Sequence, residues 1–415
     1  MKKNFIMKSF FITKKNLAGI LLCTALAASA LAGCGDREKD NTQNDTSSDD
    51  TDNTQSDTSS DDTDNDAQDS AADDESSKIG ISMPSQALER WNRDGAYLEE
   101  QFKKAGFETI LTYSDDDAKK QAEDIQNMLS ADVDLLVIAA IDDSTLDPVL
   151  DAASLADVPV IAYDRLIENE AVSYYVSFDN YAVGRMQGEF ITEYLDLENA
   201  SDEVYNMEIT AGDPADHNAA QYYQGAIDVL QPYMDRGTLN IVSGQTDFDN
   251  VATPAWSTKH AQSRAQNLLS SYYADGTQLD VWLCSNDSTA LGITQALAAG
   301  YAGSNPILIT GQDGDEANLK NIADDIQTMT VFKNLSDEAV VTFRVAEAIL
   351  TGGAADESLI SSLGIKCTYE DSEENTCPSF LLEPVIITKD NLQDLADTGL
   401  YTMGDDGYLS SAAKR

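Results

Sequence analysis

Polar residues of a few types recur where short apolar runs of the chain end. Arg90 and Trp91 follow the first run, and Asp164 and Arg165 follow the run over 158–163. The loop GDPADHNA, after 204–210, brings Asp216, His217 and Asn218. Asn286 and Asp287 follow the run ending at Cys284, Gln312 and Asp313 follow 307–310, and Lys333 and Asn334 follow 328–332. Trp256 closes a further loop, 253–256, on the approach to a helix. Carboxylates, amides and cations of this kind exchange paired hydrogen bonds with neighbouring hydroxyls, and an indole covers the apolar C–H face of a ring, so the set suits a neutral polyol. Acids and bases present together neutralise one another inside a cleft.

Each residue also has a plainer reading. Asp164, Asn286 and Asp313 are good helix caps, Arg165 and Lys333 could be rim charges, and Trp91 and Trp256 could be packing residues. Trp282, inside an apolar strand, reads as core, and His217 serves equally as a structural hydrogen-bonder or a ligand contact. Placement at one sheet edge is what favours a binding role for the set.

The elements that must position these residues alternate. Candidate strands fall at 78–83, 109–113, 135–141, 158–163, 174–178, 204–210, 239–243, 279–284, 307–310, 328–332 and 380–387, with helix-patterned stretches such as 89–105 and 114–129 between them. Runs such as Leu135-Leu136-Val137-Ile138 are apolar without alternation, as strands covered on both faces are. The pattern predicts an α/β fold of parallel sheets flanked by helices. Eleven strands suggest two lobes rather than one open sheet, with the chain crossing between them several times and ligand bound beyond the strands' carboxyl ends. A closed eight-stranded barrel fits the strand count and spacing less well.

Among 415 residues, 26 Lys and Arg face 73 Asp and Glu, a formal charge of −47. The first 33 residues hold five Lys and no acid, which leaves −52 on the rest. Such a surface repels phosphate backbones, so no nucleic-acid partner is expected. Two His in the whole chain and the lack of a Gly-Lys pair argue against His-rich metal sites and phosphate-cradling loops, so no metal or cofactor is expected.

Lysines at 2, 3, 8, 14 and 15 precede the apolar run 17–31, which is short for a membrane span and fits an export signal over 1–33. It ends in Leu31-Ala32-Gly33-Cys34, which resembles the lipobox of bacterial lipoproteins and assigns Cys34 as the lipidated residue. Lipid of this kind anchors a protein to the outer face of a membrane. Residues 34–77 are acidic and rich in Ser and Thr, with 42–53 repeated at 54–65 but for one residue. They predict a disordered tether reaching roughly 35 Å as a coil and ~140 Å when pulled straight.

Cys284, in the apolar stretch DVWLC, reads as a small buried residue. Cys367 and Cys377 flank a polar acidic loop, and in an exported chain they predict a disulfide worth about 2–3 kcal/mol.

The stretches ISMPSQALERWNRDG, VIAAIDDSTLDPVL, PVIAYDRLI, SYYVSFDN, CSNDSTALG, TGQDGDEANLK and QTMTVFKN resemble those of the bacterial sugar-binding proteins of ATP-driven importers, in the D-xylose-binding and multiple-sugar-binding branch of the ribose/galactose-type class. The resemblance runs from about 78 to 402. It implies two Rossmann-like lobes of the type I periplasmic-binding-protein fold, joined by three crossings and closing over a pyranose. It divides the chain into one lobe of 78–182 plus 311–352, a second of 183–310 plus 353–405, and a tail of 406–415. The ligand set it implies is Arg90, Trp91, Asp164, Arg165, Asn218, Trp256, Asn286, Asp313 and Lys333. Relatives often carry two Asn where this chain has His217-Asn218, and the loop around Trp256, TPAWSTKHA, differs from theirs. The implied function is non-catalytic: a monomeric receptor captures a monosaccharide such as xylose, glucose or galactose by hinge closure and delivers it to the transmembrane subunits of an ABC permease. Lipobox and tether suit a cell without a confined periplasm, such as a Gram-positive bacterium. Two other readings use the same residues: a sensor subunit for a membrane kinase or chemoreceptor, and an anchored glycoside hydrolase working through Asp164 and Asp313.

Overall fold

The computed structural model describes residues 76–200, 203–371 and 377–412. The expected signal 1–33, Cys34 and the tether as far as residue 75 lie outside the described residues. In chain order, the first lobe runs β1 (Lys78–Met83), α1 (Glu89–Lys104), β2 (Glu108–Tyr113), α2 (Ala118–Ser130), β3 (Leu135–Ile138), α3 (Asp143–Leu155), β4 (Val160–Tyr163) and β5 (Val172–Phe178). These strands pair in parallel in the order β5-β4-β3-β1-β2. Alternate residues of β3 go to opposite faces: Leu135 and Val137 join Trp91, Leu98 and Phe102 under α1, while Leu136 and Ile138 join Ile125, Met128 and Leu150 under α2 and α3. That two-sided burial is why the run carries no polar alternation.

The second lobe begins at α4 (Asn180–Tyr194), capped by the Asp179 carboxylate, and continues β6 (Tyr205–Thr210), α5 (His217–Asp235), β7 (Leu239–Ile241), α6 (Phe248–Val251) and a 3-10 turn at Pro254–Trp256. It then runs α7 (Thr258–Tyr272), β8 (Val281–Cys284), α8 (Asp287–Gly300), β9 (Leu308–Ile309), α9 (Glu316–Ala323) and β10 (Met329–Phe332). Its sheet is parallel in the order β7-β6-β8-β9. The helices α4 and α5 pack nearly backbone to backbone, since a Cβ on Gly184 would lie 1.9 Å from the Tyr222 carbonyl oxygen. Trp282 and Cys284 are buried in this lobe's core, as their apolar strand predicts.

The chain then returns. In α10 (Leu335–Leu350), Ala339, Val341 and Val345 enter the first lobe's core; α11 (Glu357–Ser361) leads to β11 (Cys367–Glu370) and β12 (Ser379–Leu382), and β12 pairs in parallel with β5. The last segment, β13 (Val385–Thr388), α12 (Leu392–Asp397), β14 (Tyr401–Met403) and β15 (Leu409–Ser411), goes back to the second lobe: β13 pairs with β10, and Ile387, Leu395, Tyr401 and Leu409 pack with Leu319 and Phe332. The three crossings fall after β5, at 333–334 and at 383–384.

Four expectations are corrected here. Residues 311–332 belong to the second lobe, because the ladder continues from β9 through a Gln312–Val331 bridge, with Met329 and Val331 in that lobe's core. Residues 353–382 belong to the first lobe, because β12 extends its sheet. The apolar run expected as one strand over 380–387 is two strands in different sheets, broken at Glu383-Pro384, where proline supplies no ladder donor. Residues 406–412 are part of the body rather than a tail, since β15 pairs with β14 and Leu409 is buried.

The expected disulfide is also overturned: Cys367 and Cys377 are both free thiols. Cys367 pairs opposite Leu382 at one end of the β11–β12 ladder, while Cys377 lies beyond Ser379 at the other end. A ladder of four residue pairs at about 3.3 Å each separates them, too far for a bond. Burial holds both thiols protonated, Cys367 pushed up to about 12 and Cys377 to about 11.

Candidate functional site

The carboxyl ends of both sheets face one cavity, lined by Leu88, Arg90, Trp91, Asp164, Arg165, Asp216, Tyr222, Trp256, Asn286, Gln312, Asp313 and Lys333. Eight of the nine expected ligand residues are in that lining. Asn218 is the exception: it is buried behind Asp164, donating through Nδ2 to the Asp164 carbonyl at 2.8 Å. Leu88 and Tyr222 carried no signal as strand exits. Asp216 and Gln312 stood in the expected loops without an assigned contact.

Local backbone aims these side chains. Asp164, Asp313 and Trp256 all have positive φ, at 57°, 103° and 50°. That conformation is costly for residues with a Cβ, and it clusters at functional sites. Gly212 lies under Trp256, and a Cβ there would fall 2.0 Å from the indole. Only glycine leaves the ring its place.

Asn286 is at once a helix cap and a cavity residue. Its Oδ1 accepts from Thr289 N at 3.0 Å in a reciprocal capping box at the start of α8, and its Nδ2 donates to Asp313 Oδ2 at 3.4 Å.

An ionic network forms the floor. Arg90 reaches Asp164 Oδ2 through Nη2 at 2.9 Å, Asp313 Oδ1 through Nη1 at 3.3 Å and Asp94 Oδ2 through Nε at 3.1 Å. Lys333 Nζ, at the second crossing, lies 3.2 Å from Asp164 Oδ2 and 3.6 Å from Asp313 Oδ1. Arg165 Nε forms an ion pair with Asp216 Oδ2 at 3.1 Å, and Asp216 Oδ2 accepts a hydrogen bond from Trp256 Nε1 at 3.1 Å. Burial opposes ionisation of Asp164, yet Arg90, Lys333 and Arg165 together hold it down at about 2. Burial raises Asp216, with Arg165 pulling the other way.

The lining thus carries three cations and three carboxylates, a balance that leaves no net charge to attract an ion. Polar groups remain to be satisfied: Trp91 Nε1 and Gln312 Oε1 are buried without hydrogen-bond partners. The Trp91 ring is faced by the Arg90 and Arg165 guanidinium carbons at 4.3 and 5.1 Å from its centroid. His217 is not in the lining; it is partly exposed and pairs with Asp143 of the first lobe at 3.1 Å. Among the described residues no cluster of His, Cys, Asp and Glu is arranged to hold a metal ion.

A family model described as a periplasmic binding protein domain matches residues 79–354. The multiple sugar-binding periplasmic protein SbpA of Azospirillum brasilense is 39% identical over 78% of this chain and 89% of its own length. The D-xylose-binding periplasmic protein of Escherichia coli is 30% identical over 76% of this chain and 88% of its own. Among solved structures, an ABC transporter solute-binding protein from Clostridium phytofermentans with bound β-D-glucose is 46% identical, with a TM-score of 0.74, covering 80% of this chain and 99% of that one.

Proposed function

The chain belongs to the periplasmic binding protein domain family, and on that premise we propose that it is an extracytoplasmic receptor. It clamps one neutral monosaccharide between its lobes and hands it to the transmembrane subunits of an ABC importer. The observation that carries this reading is the charge-balanced lining of the cavity between the lobes, with Trp91 supplied by one lobe and Trp256 by the other. Aldopyranoses are the proposed ligands, such as the D-xylose in the name of one relative and the β-D-glucose bound in the similar solved structure. Arg90, Trp91, Asp164, Arg165, Trp256, Asn286, Asp313 and Lys333 are the proposed contacts, and Asn218 acts through Asp164.

The same geometry argues against Asp164 as the proton donor of a glycoside hydrolase. Glycoside hydrolysis needs one carboxylic acid that keeps its proton near neutrality. Asp164, at about 2 beside three cations, does not. Closure is favoured because a sugar touches both lobes and so binds the closed form better than the open one. Native mass spectrometry of chain purified from sugar-fed cells is expected to show an adduct of one monosaccharide that unfolding releases; bare chain, in a protein proven folded, would count against the reading.

The N-terminal features complete the proposal: cleavage before Cys34, lipidation of its thiol, and an acidic tether that holds a monomeric receptor at the outer face of the membrane of a Gram-positive type of cell. Cys34→Ser is expected to shift the protein from the membrane fraction to the medium or periplasm. Continued membrane retention of that variant would overturn the anchor.

A further inference from the structure

Arg93 lies one helical turn beyond Glu89 on α1 and is not part of the cavity lining. Its guanidinium nevertheless reaches across to the second lobe at several points. Nη2 lies 3.1 Å from Asp315 Oδ1 and 3.5 Å from the Asp313 carbonyl, and Nη1 lies 3.4 Å from the Gly314 carbonyl and bonds the Tyr401 hydroxyl. The Tyr401 hydroxyl donates in turn to Gly314 O at 2.7 Å. Beside it, Glu89 lies 3.9 Å from Arg93 and accepts from Glu316 N at 3.3 Å. Arg93 and Asp315 are largely buried, at 13% and 9% side-chain exposure, so water screens this pair far less than an ordinary surface ion pair. The exposed His217–Asp143 pair is the contrast.

The turn that Arg93 grips also carries a cavity residue. Asp313 sends its carboxylate to Arg90 and Lys333, while its own carbonyl and that of Gly314 face Arg93. Asp287 fixes the turn from behind, accepting from Gly314 N and Asp315 N, both at 3.0 Å. Arg93 of the first lobe thus meets Asp315, Gly314 and Tyr401 of the second at one point of the lobe boundary.

We infer that Arg93, with Asp315, Gly314 and Tyr401, is a closure latch that sets how tightly every sugar is held while touching none. The inference rests on the receptor reading above. A residue that stabilises the closed form alone shifts the open–closed equilibrium by one factor for all ligands. Its loss therefore weakens every sugar equally, whereas loss of a cavity contact changes the ratio between sugars.

The test uses the full chain as parent, Arg93→Met, and Tyr401→Phe, which removes one hydroxyl and keeps the buried charge paired. Each is titrated with glucose, xylose, galactose and arabinose, and dissociation is followed by stopped flow. Arg93→Met is expected to raise every measurable Kd on the order of tenfold or more, mainly through faster dissociation. Tyr401→Phe is expected to do so by a smaller common factor, and Arg93→Lys to recover part of the loss. Unchanged affinities in both variants, or a change in the ratio between sugars, would overturn the latch. If the parent binds none of the sugars, the receptor reading fails on its own. A donor–acceptor fluorophore pair at the exposed positions Glu123 of α2 and Gln266 of α7 then decides the latch without ligand: a longer mean distance in Arg93→Met supports it, and identical distances reject it.

Discussion

Asp313→Asn is expected to raise the Kd for sugar by about 30-fold to 4000-fold while leaving the fold largely intact. Asparagine tolerates positive φ as aspartate does, so the substitution changes charge and acceptor capacity at a residue whose φ is 103° without adding backbone strain. Arg90 keeps Asp164 at 2.9 Å and Asp94 at 3.1 Å, which limits the loss of stability. What is lost is the second lobe's anionic acceptor, held by Arg90 and Lys333 from the other side of the cavity. Removing one member of such a buried charged set costs about 2–5 kcal/mol in binding. Titration of the variant alongside a thermal melt separates the two effects. An unchanged Kd would remove Asp313 from the site.

Asp164→Asn is expected to cost stability as well, about 3–5 kcal/mol, because both Arg90 and Lys333 lose their nearest shared carboxylate inside the protein. The effect has a pH signature. The three cations around Asp164 outweigh its burial and hold its proton affinity at about 2, below the ordinary value of 3.8. A depressed folded-state pKa contributes stability that is fully present above about pH 4 and lost as pH falls toward 2, about 2–3 kcal/mol for this shift. Asp315, raised to about 7 chiefly by burial, and Asp337, raised to about 6 by burial, act with the opposite sign. Their folded forms take up protons first, so stability gains as pH falls from about 7 toward 4. Urea denaturation of the parent across pH 8 to 2 is therefore expected to pass through a maximum on the acid side of neutrality and then fall. The steep acid limb is expected to flatten in Asp164→Asn, and an equally steep limb in the variant would show that other carboxylates set it.

Much of this arrangement was legible from the residues that end apolar runs. Strand ends in a parallel sheet are where the chain leaves the core, so polar side chains there are visible without knowing the fold. Residues that reach the site from within helices carry no such mark. Tyr222 lies one turn past Asn218 on α5, and Asp94 one turn past Arg90 on α1. The i, i+4 spacing is the signal that would have found them. Glu338, buried in α10 with both carboxylate oxygens unpartnered and 3.9 Å from Arg90, has no sequence neighbour in the network to reveal it.

Lobe membership was harder to read. An apolar run such as Met329–Phe332 fits either sheet equally well in sequence, and the Gln312–Val331 bridge and the packing of Met329 and Val331 assign it. The disulfide expectation failed for a related reason: loop length in sequence says nothing about ladder register, which puts Cys367 and Cys377 at opposite ends of a hairpin.

The central claim is that the cavity between the lobes receives a neutral sugar, and calorimetric titration of the chain with a panel of free pentoses and hexoses tests it most directly. The account predicts saturable one-to-one binding of one or a few of them, near the micromolar level that a handful of buried polar pairs sustains. Absence of heat for every member, in folded protein freed of co-purified sugar, would contradict it.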